Sequence, residues 1–242
     1  MSERYFLTEP VHDNRAMLTD DEAYHLAKVM RAKVGDEVSL FDGSGVEFSA
    51  KIEKIGKNRV ILEVCESRTP NVEPLTEVTV AVALPKGDRQ KWMIEKLTEL
   101  GCRRVIPLQT ERSVIHASPR VVERLQRQVL EASKQSGRLT LMEVTQEMSL
   151  GQLNEWRTDD FSPVIAHPVS DGDFSQYSAS RLLTSPLASK ILITIGPVGG
   201  LTYEEVQQAV HWGFLPVDLG PRLFRVETAA IALTASLIFA KG

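Results

Sequence analysis

Lys190-Ile191-Leu192-Ile193-Thr194-Ile195-Gly196-Pro197-Val198-Gly199-Gly200 is an apolar, β-branched run that stops at a glycine-proline turn. Residues 202–212 then read as a helix, and a second run, 214–219, stops at Gly220-Pro221-Arg222. Leu223-Phe224-Arg225-Val226-Glu227-Thr228 leads from there into a last helix, 228–240, that is apolar nearly all round and therefore expected to be buried in the core or in a subunit interface. Short β-rich runs that end at glycine and open helices are the pattern of an open α/β sheet, whose ligands bind at the carboxyl ends of the strands.

Neither turn is a phosphate loop: G-x-x-x-x-G-K-[ST] is missing, and Gly196, Gly199 and Gly200 do not fit G-x-G-x-x-G. Proline in each loop fixes φ and removes a donor, while the adjacent glycines permit positive φ. The loops are stiff and bare, so a ligand can touch their backbone.

Ile195-Gly196-Pro197-x-Gly199-Gly200-Leu201, followed by Leu219-Gly220-Pro221-Arg222-x-x-Arg225-x-Glu227-Thr228-Ala229, resembles the RsmE family, which methylates N3 of a uridine in 16S ribosomal RNA. That family belongs to the SPOUT methyltransferases, so the resemblance implies S-adenosylmethionine (SAM) held between such loops in a C-terminal trefoil knot. It also implies a symmetric homodimer and a partner in 16S ribosomal RNA or the small ribosomal subunit. One position departs from the pattern, with Val198 where the family usually has glutamate.

The 242 residues suffice for a well-buried core and for one or two domains, and 43% apolar with 25% charged residues is ordinary globular composition. No apolar run reaches the length of a membrane span, and Met1-Ser2-Glu3-Arg4 does not open a signal peptide, so a cytoplasmic protein with no membrane partner is expected. Cys65 and Cys102 stand apart, with no histidine at ligand spacing, and read as buried free thiols; no metal site is expected. The formal net charge of −4 argues against nucleic acid, yet Arg103, Arg104, Arg112, Arg120, Arg124, Arg127, Lys134 and Arg138 face only Glu111, Glu123 and Glu131. That region reads either as a solvated helix face or as a phosphate-contacting surface.

Thr19-Asp20-Asp21-Glu22 has the form of a capping box before a short helix, 23–30. Residues 37–41, 47–55 and 59–64 read as strands separated by Asp42-Gly43-Ser44-Gly45 and Gly56-Lys57-Asn58, which predicts a small barrel or sheet. His25-Leu26-x-x-Val29-x-Arg31, Gly35-Asp36 and Leu40-Phe41-Asp42-Gly43 again resemble the RsmE family, whose N-terminal domain is PUA-like and binds RNA.

Arg68-Thr69-Pro70-Asn71-Val72-Glu73-Pro74 is the linker candidate, which divides the chain into 1–72, PUA-like and RNA-binding, and 73–242, the methyltransferase domain. Residues 78–84 suit a strand buried on both faces, and Pro85-Lys86-Gly87-Asp88-Arg89-Gln90-Lys91 precedes a helix that Gly101 stops. This lysine-glycine loop and Glu95-Lys96-x-x-Glu99-Leu100-Gly101 are similar to the family's. Residues 105–108 form the next strand, and Ser118-Pro119 opens a helix that ends at Gly137. Gln135-Ser136-Gly137-Arg138 is similar to a further family signature, although the same residues also make an ordinary helix end. Residues 161–166 are a strand closed by His167-Pro168, where the histidine reads as a half-buried ring or a base.

The resemblance carries a site assignment. SAM contacts fall to His167, chiefly through its backbone, and to Pro168, Ile195, Gly196, Pro197, Gly199, Gly200, Leu219, Gly220, Leu223 and Thr228. RNA contacts fall to Arg4, His25, Arg31, Lys86, Arg89, Arg112 and Arg138. Methyl transfer to N3 of uracil needs an aligned acceptor and loss of the N3 proton, and the charge left behind is stabilised by cations or N–H donors. Arg222 and Arg225 are candidates for that charge, with loop anchoring as their other reading; Glu227 is either the base or an acid favoured at the start of a helix. Two other functions compete, a non-catalytic RNA-binding module and an α/β nucleotide-dependent hydrolase, the second disfavoured by the missing phosphate loop.

Overall fold

The structure, a computed structural model, describes residues 4–167 and 188–241. The chain divides into two compact units, Met1–Glu73 with Leu130–Leu141, and Pro74–Val129 with Met142–Gly242. The division expected at 72/73 carried no such second segment in the first unit.

The first unit is a five-stranded sheet of β1 (Arg4–Phe6), β2 (Arg15–Thr19), β3 (Glu37–Phe41), β4 (Glu47–Ile55) and β5 (Arg59–Arg68), in the order β1-β3-β4-β5-β2. β1 runs parallel to β3 and the other pairs are antiparallel. Alternation along β5 turns Val60 and Leu62 inward onto Leu18, Leu40 and Ile52. The same parity turns Cys65 outward, so it is exposed, against the expectation of a buried thiol; Cys102 is buried, its Sγ 3.3 Å from the carbonyl oxygen of Val78.

The helix expected at 23–30 is instead α1 (Asp20–Tyr24) running into a π-helical turn, His25–Val29. Thr19 makes no side-chain cap, and the Glu22 carboxylate that would complete a capping box is engaged elsewhere. It accepts from the Phe6 N–H at 3.4 Å and from Lys134 Nζ at 2.7 Å. A buried carboxylate, Glu47, ties three parts of this unit together: it accepts from Ser39 Oγ at 2.8 Å, from Arg68 Nε at 2.7 Å and from Arg4 Nε at 3.3 Å.

The second unit is a sheet in which every pairing is parallel. Its elements are β6 (Glu77–Val82), α2 (Asp88–Glu99), β7 (Arg104–Gln109), α3 (Pro119–Ser136), β8 (Glu143–Val144), β9 (Met148–Ser149), α4 (Leu150–Trp156), β10 (Phe161–Ala166), β11 (Lys190–Ile195), α5 (Tyr203–His211), β12 (Leu215–Val217) and α6 (Val226–Lys241). The order is β12-β10-β11-β6-β7-β8, with β9 paired to the end of β7. The last turns of α3, from Leu130 on, belong to the first unit.

Val78, Val80 and Val82 of β6 alternate with Thr79 and Ala81, and all are buried, as befits a strand covered on both faces. α6 packs on β6 and β11 and against α2. It begins at Val226 rather than 228 and is not buried throughout, since Phe239 is 72% exposed. Gly101, at φ 86°, ends α2 where a Cβ would lie 2.5 Å from Pro74.

Candidate functional site

Parallel strands place all their carboxyl ends on one edge, and the chain reverses its direction of strand addition between β6 and β11, the position at which open sheets form a ligand crevice. Three strand ends lie side by side on that edge, because β10 lies between β11 and β12 with Ala166 in register with both Ile195 and Val217. His167, Gly196 and Asp218 are the next residues on the three strands. The ladder continues one step through the His167 N–H, which donates to the Val217 carbonyl oxygen at 3.0 Å.

The loop after β11 is shaped by glycine at two places. At Gly196 a Cβ would come within 2.7 Å of Leu201 Cγ, and Gly200 sits at φ 72°. The Gly200 N–H donates to the Pro197 carbonyl oxygen at 2.8 Å, closing the turn. Val198 at its tip is 78% exposed. Arg112, in the loop after β7, donates from Nη1 to the Gly199 carbonyl oxygen at 2.9 Å. A second tie comes from Glu205: its carboxylate closes the capping box of α5 on the Thr202 N–H at 2.8 Å and accepts from the Glu111 N–H at 2.9 Å. Glu205 was missed in the sequence, although Thr202-x-x-Glu205 has the spacing of a capping box.

The loop after β12 turns at Gly220, whose N–H donates to Asp218 Oδ1 at 2.9 Å. Beyond it Arg222, Leu223 and Arg225 are exposed, Leu223 at 89%. Burial pushes the His167 imidazole below its ordinary value, against the upward pull of the Asp218 carboxylate, so the ring is neutral at physiological pH. Glu227 follows in the first turn of α6, 3% exposed; Arg89 Nη1 lies 3.9 Å from its Oε1, and its Oε2 has no hydrogen-bond partner among the described residues.

Of the residues assigned to SAM, His167, Ile195, Gly196, Pro197, Gly199, Gly200, Leu219 and Gly220 gather at these three strand ends, while Leu223 and Thr228 lie on the way into and within α6. Pro168 lies outside the described residues. Those assigned to RNA fall into both units: Arg4, His25, Arg31 and Arg138 in the first, Lys86, Arg89 and Arg112 in the second. Arg138 is only 6% exposed and is gripped by Glu73 through Nε at 3.0 Å and Nη2 at 2.7 Å. A guanidinium closed off in this way holds the first unit together rather than presenting a cation to solvent. Arg31 is exposed, with a left-handed backbone at φ 55°. Among the described residues no cluster of three or more His, Cys, Asp or Glu is placed to hold a metal ion, and no helix is long and apolar enough to cross a membrane.

Residues 71–238 match the RNA methyltransferase domain, and residues 18–65 the RNA methyltransferase PUA domain. The chain belongs to the ribosomal RNA small subunit methyltransferase E family. Its similarity to the Bacillus subtilis member is 35% identity over 90% of this chain and 88% of that one. The Synechocystis member is 31% identical over 95% of this chain and 74% of its own. Among solved structures, family member E from Neisseria gonorrhoeae, bound to SAM, superposes with a TM-score of 0.84 at 28% identity, covering 98% of this chain and 97% of that one. A Legionella pneumophila protein in complex with SAM gives 0.86 at 28% identity, over 99% and 98% of the two chains. The first unit's sheet is thus the PUA-like sheet of this family, and the parallel sheet is its methyltransferase fold.

Proposed function

We propose that the chain transfers the methyl group of SAM to N3 of a uridine in 16S ribosomal RNA of the small subunit. The observation that carries this reading is the pair of bare glycine loops after β11 and β12, whose strand ends flank that of β10, tied in shape by Arg112 and Asp218. Backbone groups of Ile195, Gly196, Pro197, Gly199, Gly200, Leu219, Gly220 and His167 fit a cofactor that carries both an adenine edge and a cationic sulfonium. A neutral His167 spares that cation a neighbouring positive charge. When bound, SAM supplies an already reactive methyl group.

What is left for the protein is to hold uracil and manage one proton. Arg222 and Arg225, exposed beside the loop after β12, are the proposed stabilisers of the charge that spreads over N3 and its flanking carbonyl oxygens. Glu227, buried with an unpartnered oxygen, is the proposed acceptor of the N3 proton. Lys86, Arg89 and Arg112 in the second unit, and His25 and Arg31 in the PUA-like unit, are the proposed RNA contacts. The same reading includes a trefoil knot in the methyltransferase fold, action in the cytoplasm where ribosomes mature, and a homodimer, which the exposed Phe239 on the apolar α6 favours.

The test is direct. SAM binding is measured by calorimetry, methyl transfer is assayed on 16S ribosomal RNA and on isolated small subunits, and the product nucleoside is identified by mass spectrometry. N3-methyluridine is expected; transfer to ribose or to another base, or SAM binding without transfer to either substrate, defeats the proposal.

A further inference from the structure

The acidic net charge conceals an uneven distribution of ion pairs. Some cations of the methyltransferase unit are matched by carboxylates: Lys96 by Glu95 and Glu99, Arg104 by Glu143, and Lys190 by Asp160. The outer face of α3 differs. Arg120, Arg124 and Arg127 are all exposed, and none makes an ion pair with a carboxylate among the described residues.

Helical geometry gathers these three. Positions 120, 124 and 127 fall on one side of α3, opposite the buried Val122, Leu125 and Val129, and such neighbours stand about 5–6 Å apart at Cβ. That is close to the spacing of successive phosphates along a nucleic-acid strand. The arginine row also has a fixed direction. Arg124 donates from Nη2 to Oε1 of Gln90, which is 3% exposed and itself donates to the Pro85 carbonyl oxygen at 3.4 Å. The guanidinium of Arg124 is therefore anchored at the turn after β6, where Lys86 is exposed. This turn leaves the carboxyl edge of the sheet, the edge that carries the glycine loops. Asp88, Glu123 and Glu131 are the exposed acids nearby, and Glu131 is already paired with Lys134 at 3.4 Å, so positive charge predominates along the row.

We propose that Lys86, Arg120, Arg124 and Arg127 form a docking strip for the ribosomal RNA backbone, which leads a strand along α3 to the carboxyl edge. The strip rests on the reading of the chain as a ribosomal RNA methyltransferase. It reads phosphates and carries no sequence preference, which leaves selection of the uridine to the loops. Arginine suits this task, because its planar fork grips phosphate oxygens in pairs.

The experiment uses the full chain and a 16S ribosomal RNA transcript, with affinity measured across a series of potassium chloride concentrations. Arg120→Gln/Arg124→Gln/Arg127→Gln removes the row. Arg120→Gln/Arg127→Gln spares the bond to Gln90 and guards against a folding defect. Lys96→Gln/Lys190→Gln removes as much charge as that double variant from acid-paired positions in the same unit. Each lost phosphate contact lowers the slope of log K against log salt by about 0.7–0.9, so the triple variant's slope is expected to fall by about 2–3 and the double variant's by about 1.5, with SAM affinity unchanged. The Lys96/Lys190 control is expected to keep the wild-type slope. Unchanged slopes in the arginine variants, or an equal fall in the control, overturn the strip. A wild-type protein that binds the transcript through the row but methylates neither the transcript nor isolated small subunits retains the strip and defeats the proposed function; one that methylates small subunits without binding the transcript defeats the strip and retains the proposed function.

Discussion

Arg112 holds Gly199. The guanidinium of the first donates to the backbone oxygen of the second at 2.9 Å, across 87 positions of sequence, and so joins the loop after β7 to the loop after β11. An arginine in a basic region is readily taken for a phosphate contact, but here part of its donor set is committed to loop shape. Arg112→Ala should therefore weaken SAM binding by about fivefold, the equivalent of about 1 kcal/mol for one exposed charge-assisted bond. Calorimetry with SAM alone decides the matter: unchanged affinity would reduce Arg112 to an RNA contact.

Gly196 has no room for a side chain. With Leu201 Cγ 2.7 Å from an added Cβ, Gly196→Ala forces Leu201 or the loop to move, and overpacking of this kind costs about 1–3 kcal/mol. A lower melting temperature and a larger loss of SAM affinity than for Arg112→Ala are expected. Wild-type affinity in this variant would show that the loop does not touch the cofactor.

Val198 stands where the family usually has glutamate, yet the loop is already closed by Gly200 on Pro197 and pinned by Arg112. Its side chain is 78% exposed and contributes little to that order. Val198→Glu should raise single-turnover methylation by less than about tenfold, or about 1.4 kcal/mol of transition-state stabilisation. A much larger gain would assign the carboxylate a direct part in the reaction.

Glu227→Gln keeps the shape of the buried side chain and removes its charge. If Glu227 takes the N3 proton, turnover should fall at least about 100-fold while SAM still binds. A variant that loses only about 0.5–1 kcal/mol of stability and keeps its turnover would leave the residue the lesser role of an acid at a helix start. Single-turnover kinetics and thermal melts, run on the same preparation, separate these outcomes.

Glu47 makes the PUA-like unit acid-sensitive. Burial alone would raise its pKa, but the hydrogen bonds from Ser39, Arg68 and Arg4 outweigh burial and hold it below the ordinary carboxylate value. A carboxyl depressed in the folded state stabilises the fold above its unfolded pKa, and that stabilisation is lost as pH falls through the folded pKa. The difference in unfolding free energy between wild type and Glu47→Gln should accordingly be largest at neutral pH, on the order of 1–3 kcal/mol, and shrink as pH drops below about 4. A difference that stays constant down to pH 2 would contradict this.

Local signals in the sequence were read well and long-range ones were not. Ser118-Pro119 and Gly137 bracket α3 because a helix start and a left-handed stop are decided within a few residues. The strand end at Ile195 was legible for the same reason, since glycine and proline follow it, whereas the second run, expected to reach 219, ends as a strand at Val217. Thr19-x-x-Glu22 misled because Lys134, 112 positions away, competes for the carboxylate. The burial of Arg138 depends on Glu73, 65 positions back, and nothing near Arg138 announces it. Cys65 was legible and overlooked: the alternation that buries Val60 and Leu62 sends position 65 outward. At the site, the glycine loops were apparent, while the brace from Glu205 and the burial of Glu227 emerge only once the strands are laid side by side.

The second segment of the PUA-like unit bears on how the protein is made. Gly45 donates to the Leu139 carbonyl oxygen at 3.2 Å, Glu22 takes Lys134, and Glu73 takes Arg138, so residues 130–141 supply partners that residues 1–73 lack on their own. A ribosome has already synthesised more than half of the chain when those partners emerge. The N-terminal sheet is therefore without these three partners through the synthesis of β6, α2 and β7, and the unit made first is the one whose last piece comes late.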